Sequence, residues 1–174
     1  MRLSRRWVPR VGRAARARPP ATPVGRLEAI FVTDAGGAPM RSVESVEAVA
    51  GSGLRGDRYA EHAGYWSPLD ECQVTLIAGE VLDEVTRVYG VAVHHGEHRR
   101  NLVTRGFDLV DLTGRSFTIG DVELAYDRPR PPCRYIASIT EAGMTRALGA
   151  RRGGICARVT EGGWLRVGDE VALP

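Results

Sequence analysis

The chain is divided by glycine into short runs that favour β-structure, and few stretches are long enough to form a helix. Residues 25–33 (GRLEAIFVT) alternate in part and carry the apolar trio Ile30, Phe31 and Val32, which predicts a strand. Residues 42–49 place Val43, Val46 and Val49 in a looser alternation and predict a second strand. Residues 73–77 (QVTLI), 102–104, 116–119, 122–126, 155–160 and 170–173 read in the same way. Gly120-Asp121 marks a tight hairpin between two of these runs. Two segments have helical spacing. The first is 80–89, where Val81, Val85 and Val88 recur with Leu82 and Tyr89 before a stop at Gly90; the second is 140–148, with Thr140 as cap. Many short strands with one or two helices lead to a β-rich barrel or sandwich. At 174 residues the chain suits one domain with a sizeable core.

The formal charge of +3 misdescribes that domain. Residues 1–20 hold seven arginines and no acid, which leaves 17 arginines against 21 acids, or −4, for the remainder. Residues 1–24, with Pro19, Pro20 and Pro23, read as a disordered, dispensable arginine-rich arm and linker ahead of a domain at 25–174. Such an arm could bind nucleic acid electrostatically. Nothing in the rest of the chain continues its basic patch, so nucleic acid is not the expected partner. No apolar run is long enough to cross a membrane. Three cysteines, Cys72, Cys133 and Cys156, form no close pair along the chain. The odd count without a secretory segment points to a reducing, cytoplasmic setting. All 24 basic residues are arginine. The absence of lysine excludes a Schiff-base enzyme, including any that holds pyridoxal phosphate covalently, and a Walker-type phosphate loop.

Chemistry concentrates in three places. Cys133 lies in an arginine and proline collar, Arg128-Pro129-Arg130-Pro131-Pro132-Cys133-Arg134. Prolines stiffen the approach and remove amide donors, and flanking guanidiniums favour a thiolate. A thiolate can ligate a soft metal, carry a persulfide or attack an electrophile. A buried cysteine that packs as a small hydrophobe remains the structural alternative. The second place is Arg99-Arg100-Asn101 before the apolar Leu102-Val103, where Arg99 and Asn101 would share one face of an extended segment and suit an oxyanion or phosphate. A solvated strand end is the alternative there. The third is Gly53-Leu54-Arg55-Gly56-Asp57-Arg58-Tyr59, whose glycines allow close ligand approach beside Arg55 and Arg58. His94 and His98 are four apart, but Gly96 lies between them and the zinc-protease motif fails.

The order of the pieces resembles the MOSC family, the C-terminal domain of molybdenum cofactor sulfurases. The resemblance runs through the GLRGDRY loop, RRNLVTRGFDLVDLTGRSFTIGDVEL, the cysteine after PPC, and RGGICARVTEGGWLRVGDEV, spanning roughly Gly25 to Leu173. It implies a distorted β-barrel. It also implies a molybdenum cofactor held by Cys133 as metal ligand, with chemistry like that of amidoxime- and hydroxylaminopurine-reducing members. Arg99, Arg58, Arg100 and the loop residues Gly56 and Asp57 become candidates for the pterin phosphate, and Asn101 becomes a hydrogen-bonding group beside a small-molecule substrate at a strand entrance. The extra N-terminal barrel of the mitochondrial reductases and any flavin or iron–sulfur module are missing, so the expected partner is a separate electron-donor protein. Other members are thought to carry sulfur on this cysteine, which implies a sulfur donor and a persulfide carrier role instead. A non-catalytic binding module is the third expectation.

Overall fold

The computed structural model describes residues 21–69 and 72–174. The arginine-rich arm at 1–20 lies outside these residues. The remainder is mainly β, and its principal sheet closes into a seven-stranded barrel. Strands β1 (Thr22–Val32), β6 (Leu102–Arg105), β5 (Val74–Ala78), β9 (Ile155–Glu161), β8 (Val122–Pro129), β7 (Ser116–Ile119) and β11 (Glu170–Leu173) follow one another around the wall, and β11 returns to β1. Closure removes the sheet edges. A second sheet consists of β3 (Ser45–Val49), β4 (Gly53–Leu54) and β10 (Gly163–Arg166). The short β2 (Arg41–Val43) pairs with the end of β1.

The differences from the sequence reading have local causes. β1 begins at Thr22, inside the expected linker, because Thr22–Arg26 closes the barrel against Glu170–Leu173. Pro23 is tolerated there beside a register shift between Pro23 and Gly25. The expected strand at 42–49 is two strands, since the chain leaves β1 at Val43 and joins β10 from Ser45. β8 runs on to Pro129, so the collar before Cys133 starts as barrel wall paired with β9 as far as Ile155.

The helices show a similar pattern. α1 (Gly79–Tyr89) crosses over between the parallel strands β5 and β6. Its buried side chains are Leu82 and Val85, while Val88 faces solvent. Gly90 ends it in the left-handed conformation and donates its N–H to Thr86 O. Within the expected helix at 140–148 only α3 (Met144–Ala147) forms, and a second short helix, α2 (Arg134–Ile139), precedes it. Thr140 closes α2 instead of capping α3.

Two cores result. Leu27, Leu54, Leu76, Leu102, Phe117, Ile119, Leu124 and Leu165 fill the barrel. Phe31, Ile77, Val103, Leu82, Val85, Met144 and Leu148 pack between the barrel wall and the helices. β5 is buried on both faces, Leu76 inward and Ile77 toward the helices, which is why its sequence does not alternate.

Candidate functional site

The barrel places the end of β8 beside the turn that leads into β9. Arg130 N donates to Gly154 O at 2.8 Å, after which Pro131 and Pro132 carry the chain to Cys133 without backbone donors. The fit requires glycine: a Cβ on Gly153 would lie 2.2 Å from Arg130 O, and one on Gly154 (φ +84°) would lie 2.0 Å from Leu76 O. Cys133 is extended, with φ −105° and ψ 165°, and half-buried at the start of α2. Its carbonyl accepts from Ile136 N and from Thr145 Oγ1, both at 3.2 Å. The backbone at the cysteine is therefore held by a strand, two prolines and two short helices.

The Arg99-Arg100-Asn101 segment is not uniformly extended, because Arg99 has φ +62°. The three side chains consequently diverge. Arg99 reaches the cleft and donates through Nη1 to Ala38 O. Burial and the neighbouring Arg58 push its pKa down to about 10. Arg100 also borders the cleft but uses its donors on backbone carbonyls: Gly153 O at 2.7 Å, His98 O at 3.1 Å and Arg130 O at 3.2 Å. It ties both sides of the Cys133 approach together, and burial pushes its pKa down to about 10.

Asn101 turns into the core. It is fully buried; Oδ1 accepts from Thr75 N at 3.2 Å and Thr75 Oγ1 at 2.8 Å, and Nδ2 donates to Phe31 O at 3.1 Å. It joins β1, β5 and the entrance to β6 and does not border the cleft. The expected pairing of Arg99 and Asn101 on one face fails because of the left-handed residue between the loop and the strand.

The glycine-rich loop contributes through its charged residues. Arg58 is buried and borders the cleft; Nη1 pairs with Asp57 Oδ1 at 3.1 Å, and Nη2 donates to Arg99 O at 3.1 Å. Asp57 is fully buried behind it, accepting also from Thr33 N at 3.1 Å and Tyr59 N at 3.2 Å. Asp57 thus orients Arg58 and does not itself line the cleft. Gly56, at φ +72°, makes the turn and lies off the cleft. Gly53 is a packing glycine whose Cβ would fall 2.6 Å from Gln73 O. The loop's glycines therefore serve the fold, and Gly51, Ser52, Arg58 and Tyr59 from this region face the cleft.

These groups enclose a cleft of about 870 Å³. Cys133 lies on its wall with Arg58, Arg99, Arg100, Arg128, Arg130 and Arg158, and Asp127 is the one lining carboxylate among the described residues. A body that is acidic by sequence brings six of its guanidiniums to the one cleft that holds Cys133. The sequence reading missed Arg158, because only the pairing of β8 with β9 brings it alongside the collar. It also missed an aromatic rim. Tyr65 stacks on Tyr135 with centroids 3.5 Å apart and planes at 15°, and Trp66 meets Tyr65 edge-on at 5.0 Å. Tyr135, two residues after Cys133, was the available signal.

Cys72 and Cys156, far apart in sequence, meet in space. The hydrogen bond between their thiols, together with burial, pushes Cys72 up well above the usual thiol range. Cys72 borders the cleft as a protonated thiol, leaving Cys133 as the more accessible sulfur. His98 is buried, accepts from Arg100 N at 2.9 Å, and has its pKa pushed down to about 3 by burial. Exposed His94 contacts Thr86 Oγ1 instead, so the two histidines do not converge. Among the described residues no three histidine, cysteine or carboxylate side chains cluster to hold a bare metal ion. One accessible soft thiol, Cys133, ringed by guanidiniums suits a metal that arrives with most of its ligands and an anionic group already attached.

Comparison with known proteins agrees with this architecture. The YuaD protein of Bacillus subtilis superposes with a TM-score of 0.70 at 18% identity, covering 85% of this chain and 94% of that one. YiiM from Geobacillus stearothermophilus superposes at 0.67 with 16% identity, covering 86% and 75%, and YiiM from Escherichia coli at 0.60 with 16% identity, covering 86% and 69%. At such identities the likeness is one of fold. No curated protein sequence matches the chain. The MOSC domain model matches residues 56–172, from the glycine-rich loop through the closing strand, and by that match the chain belongs to the MOSC domain family.

Proposed function

We propose that this chain binds the molybdenum cofactor in the arginine-lined cleft, with the Cys133 thiolate as metal ligand, and reduces N-oxygenated small molecules. The observation that carries the reading is the meeting of one half-buried cysteine with six arginines around a single cleft. MOSC domains are associated with molybdenum cofactor binding at the level of the family. When bound, the cofactor supplies a two-electron redox centre; the protein supplies its position and surroundings.

Cys133 Sγ provides the soft donor. Arg99 and Arg58 hold the phosphate: their guanidiniums are already buried and fixed by Ala38 O, Arg99 O and Asp57, so little reorganisation is needed. Arg100 acts as a positioning residue by fixing the carbonyls on either side of the Cys133 approach. Tyr65, Trp66 and Tyr135 wall the opening and limit water. Electrons come from a separate donor protein. Molybdenum analysis of protein from a molybdenum-replete host, wild type beside Cys133→Ser, tests the reading. Near-stoichiometric metal in the first and loss in the second are expected, together with benzamidoxime reduction by reduced methyl viologen. Equal metal in both would overturn it.

A second reading has Cys133 carry a persulfide from a sulfur donor. The half-exposure of its thiol beside Arg130 supports it. Sulfide released by dithiothreitol from metal-free protein, and not from Cys133→Ser, is its signature.

A further inference from the structure

Cys72 and Cys156 take no part in the proposed chemistry and form no close pair along the chain. The register of the barrel wall brings them together. Val74 pairs with Ala157 and both belong to the barrel core, so the adjacent pair Thr75 and Cys156 points outward. On the other side of β9, Cys156 stands opposite Arg128, which lines the cleft. Cys72 precedes β5 and lies on the cleft wall, with its Sγ 3.5 Å from Val74 O and in hydrogen-bonding contact with the Cys156 thiol. Both side chains are buried, at 4% and 0% exposure.

Two sulfurs held in contact differ from a cysteine that packs only as a small hydrophobe. Contact supplies the proximity that a disulfide needs, and loss of the two protons is the remaining requirement. At Cys72 the hydrogen bond to Cys156 and burial hold the proton, so the resting state is the dithiol. The guanidiniums of Arg130 and Arg128 act in the opposite sense and favour a thiolate there, while the Arg100 guanidinium attracts one at Cys156. Cys72 borders the cleft and Cys156 does not, so an oxidant small enough to enter meets Cys72 first.

We propose that Cys72 and Cys156 form a reversible oxidative-modification site whose oxidant is a small peroxide, and that the resulting disulfide locks the cleft wall. Cys72 Sγ attacks one peroxide oxygen and the O–O bond breaks, giving a sulfenic acid and one water. Cys156 Sγ then attacks the Cys72 sulfur and expels the hydroxyl as a second water. Two thiols and one hydrogen peroxide thus become one disulfide and two waters; each sulfur loses one electron and the peroxide gains two. A thiol reductant restores the dithiol. The step uses neither a bound metal nor Cys133, so it stands apart from the reductase reading.

The test uses the full chain without cofactor, as wild type and as Cys133→Ser. Each is treated with hydrogen peroxide, quenched with excess iodoacetamide in denaturant and mapped as non-reduced peptides by mass spectrometry. The expected product in both is a linked Cys72–Cys156 peptide pair that dithiothreitol separates. The link closes a loop of roughly 85 residues, so Tm should rise on the order of 5–15 °C. Cys72→Ser and Cys156→Ser, each in the Cys133→Ser background, should lose that rise. Peptide mapping needs neither variant, so it decides even where a substitution destabilises the wall. Recovery of Cys72 and Cys156 as alkylated thiols while Cys133 is oxidised overturns the proposal, as does a Cys72–Cys133 link in the wild type. A Cys72–Cys156 link that forms only after unfolding in urea also overturns it, and a link that leaves Tm unchanged overturns the lock.

Discussion

Replacing Asn101 by alanine separates a structural role from a catalytic one. The side chain is fully buried and makes three hydrogen bonds, from Thr75 N and Thr75 Oγ1 and to Phe31 O. Alanine leaves a buried amide donor, a buried hydroxyl and a buried carbonyl with fewer partners. Thr75 Oγ1 still accepts from Asn101 N at 3.0 Å, so that group is not abandoned completely. Thr75 N bears the largest penalty. An unsatisfied buried group costs about 1–3 kcal/mol and an ordinary hydrogen bond about 1 kcal/mol, so the sum is roughly 2–4 kcal/mol. For a domain of this size each kcal/mol lowers Tm by about 2–4 °C. The expected drop is therefore on the order of 4–16 °C by differential scanning calorimetry. Molybdenum bound per folded molecule should be nearly unchanged, because Asn101 lies off the cleft. An unchanged Tm with lost turnover would refute this reasoning and return Asn101 to the ligand side of the sheet.

A limiting dose of iodoacetamide should label Cys133 before Cys72 and Cys156, both buried, and peptide mass mapping gives the order. Gly154→Ala should destabilise severely, by about 3 kcal/mol or more, since the left-handed backbone and the Leu76 carbonyl at 2.0 Å both exclude a Cβ; chemical denaturation measures it. Arg100→Ala should lower Tm and reduce cofactor retention together, whereas Arg99→Ala should reduce retention about tenfold with a smaller change in Tm. His98 adds a pH dependence. Its folded pKa, near 3, lies below the ordinary 6.5, so the unfolded chain binds the extra proton between these values. The stability from its burial is complete above pH 6.5 and falls by about 1.4 kcal/mol per pH unit as the pH drops toward 3. Urea titrations of wild type and His98→Gln across that range should show a steeper slope in the wild type, because carboxylates such as Glu47, held low by Arg55, contribute equally to both.

Local chemistry determined a large part of this protein. The apolar runs, the turn glycines and the helix over 80–89 are written in short-range periodicity, and the structure places strands or helix close to each of them. The collar around Cys133 was equally legible, because proline acts on its own neighbours. Closure of the barrel was not. It depends on Thr22–Arg26 meeting Glu170–Leu173, a contact between opposite ends of the domain that draws a proline-bearing segment into a strand. The site divided along the same line. Arg58, Arg99 and Cys133 could be named as candidates from residue type, yet one residue with positive φ decided that Arg99 faces the cleft and Asn101 the core. Arg158, Tyr65 and the Cys72–Cys156 contact came into view only with strand pairing and loop packing. Periodicity and propensity act over a few residues, whereas the direction of a side chain relative to a distant wall is set by register and handedness summed over the whole barrel.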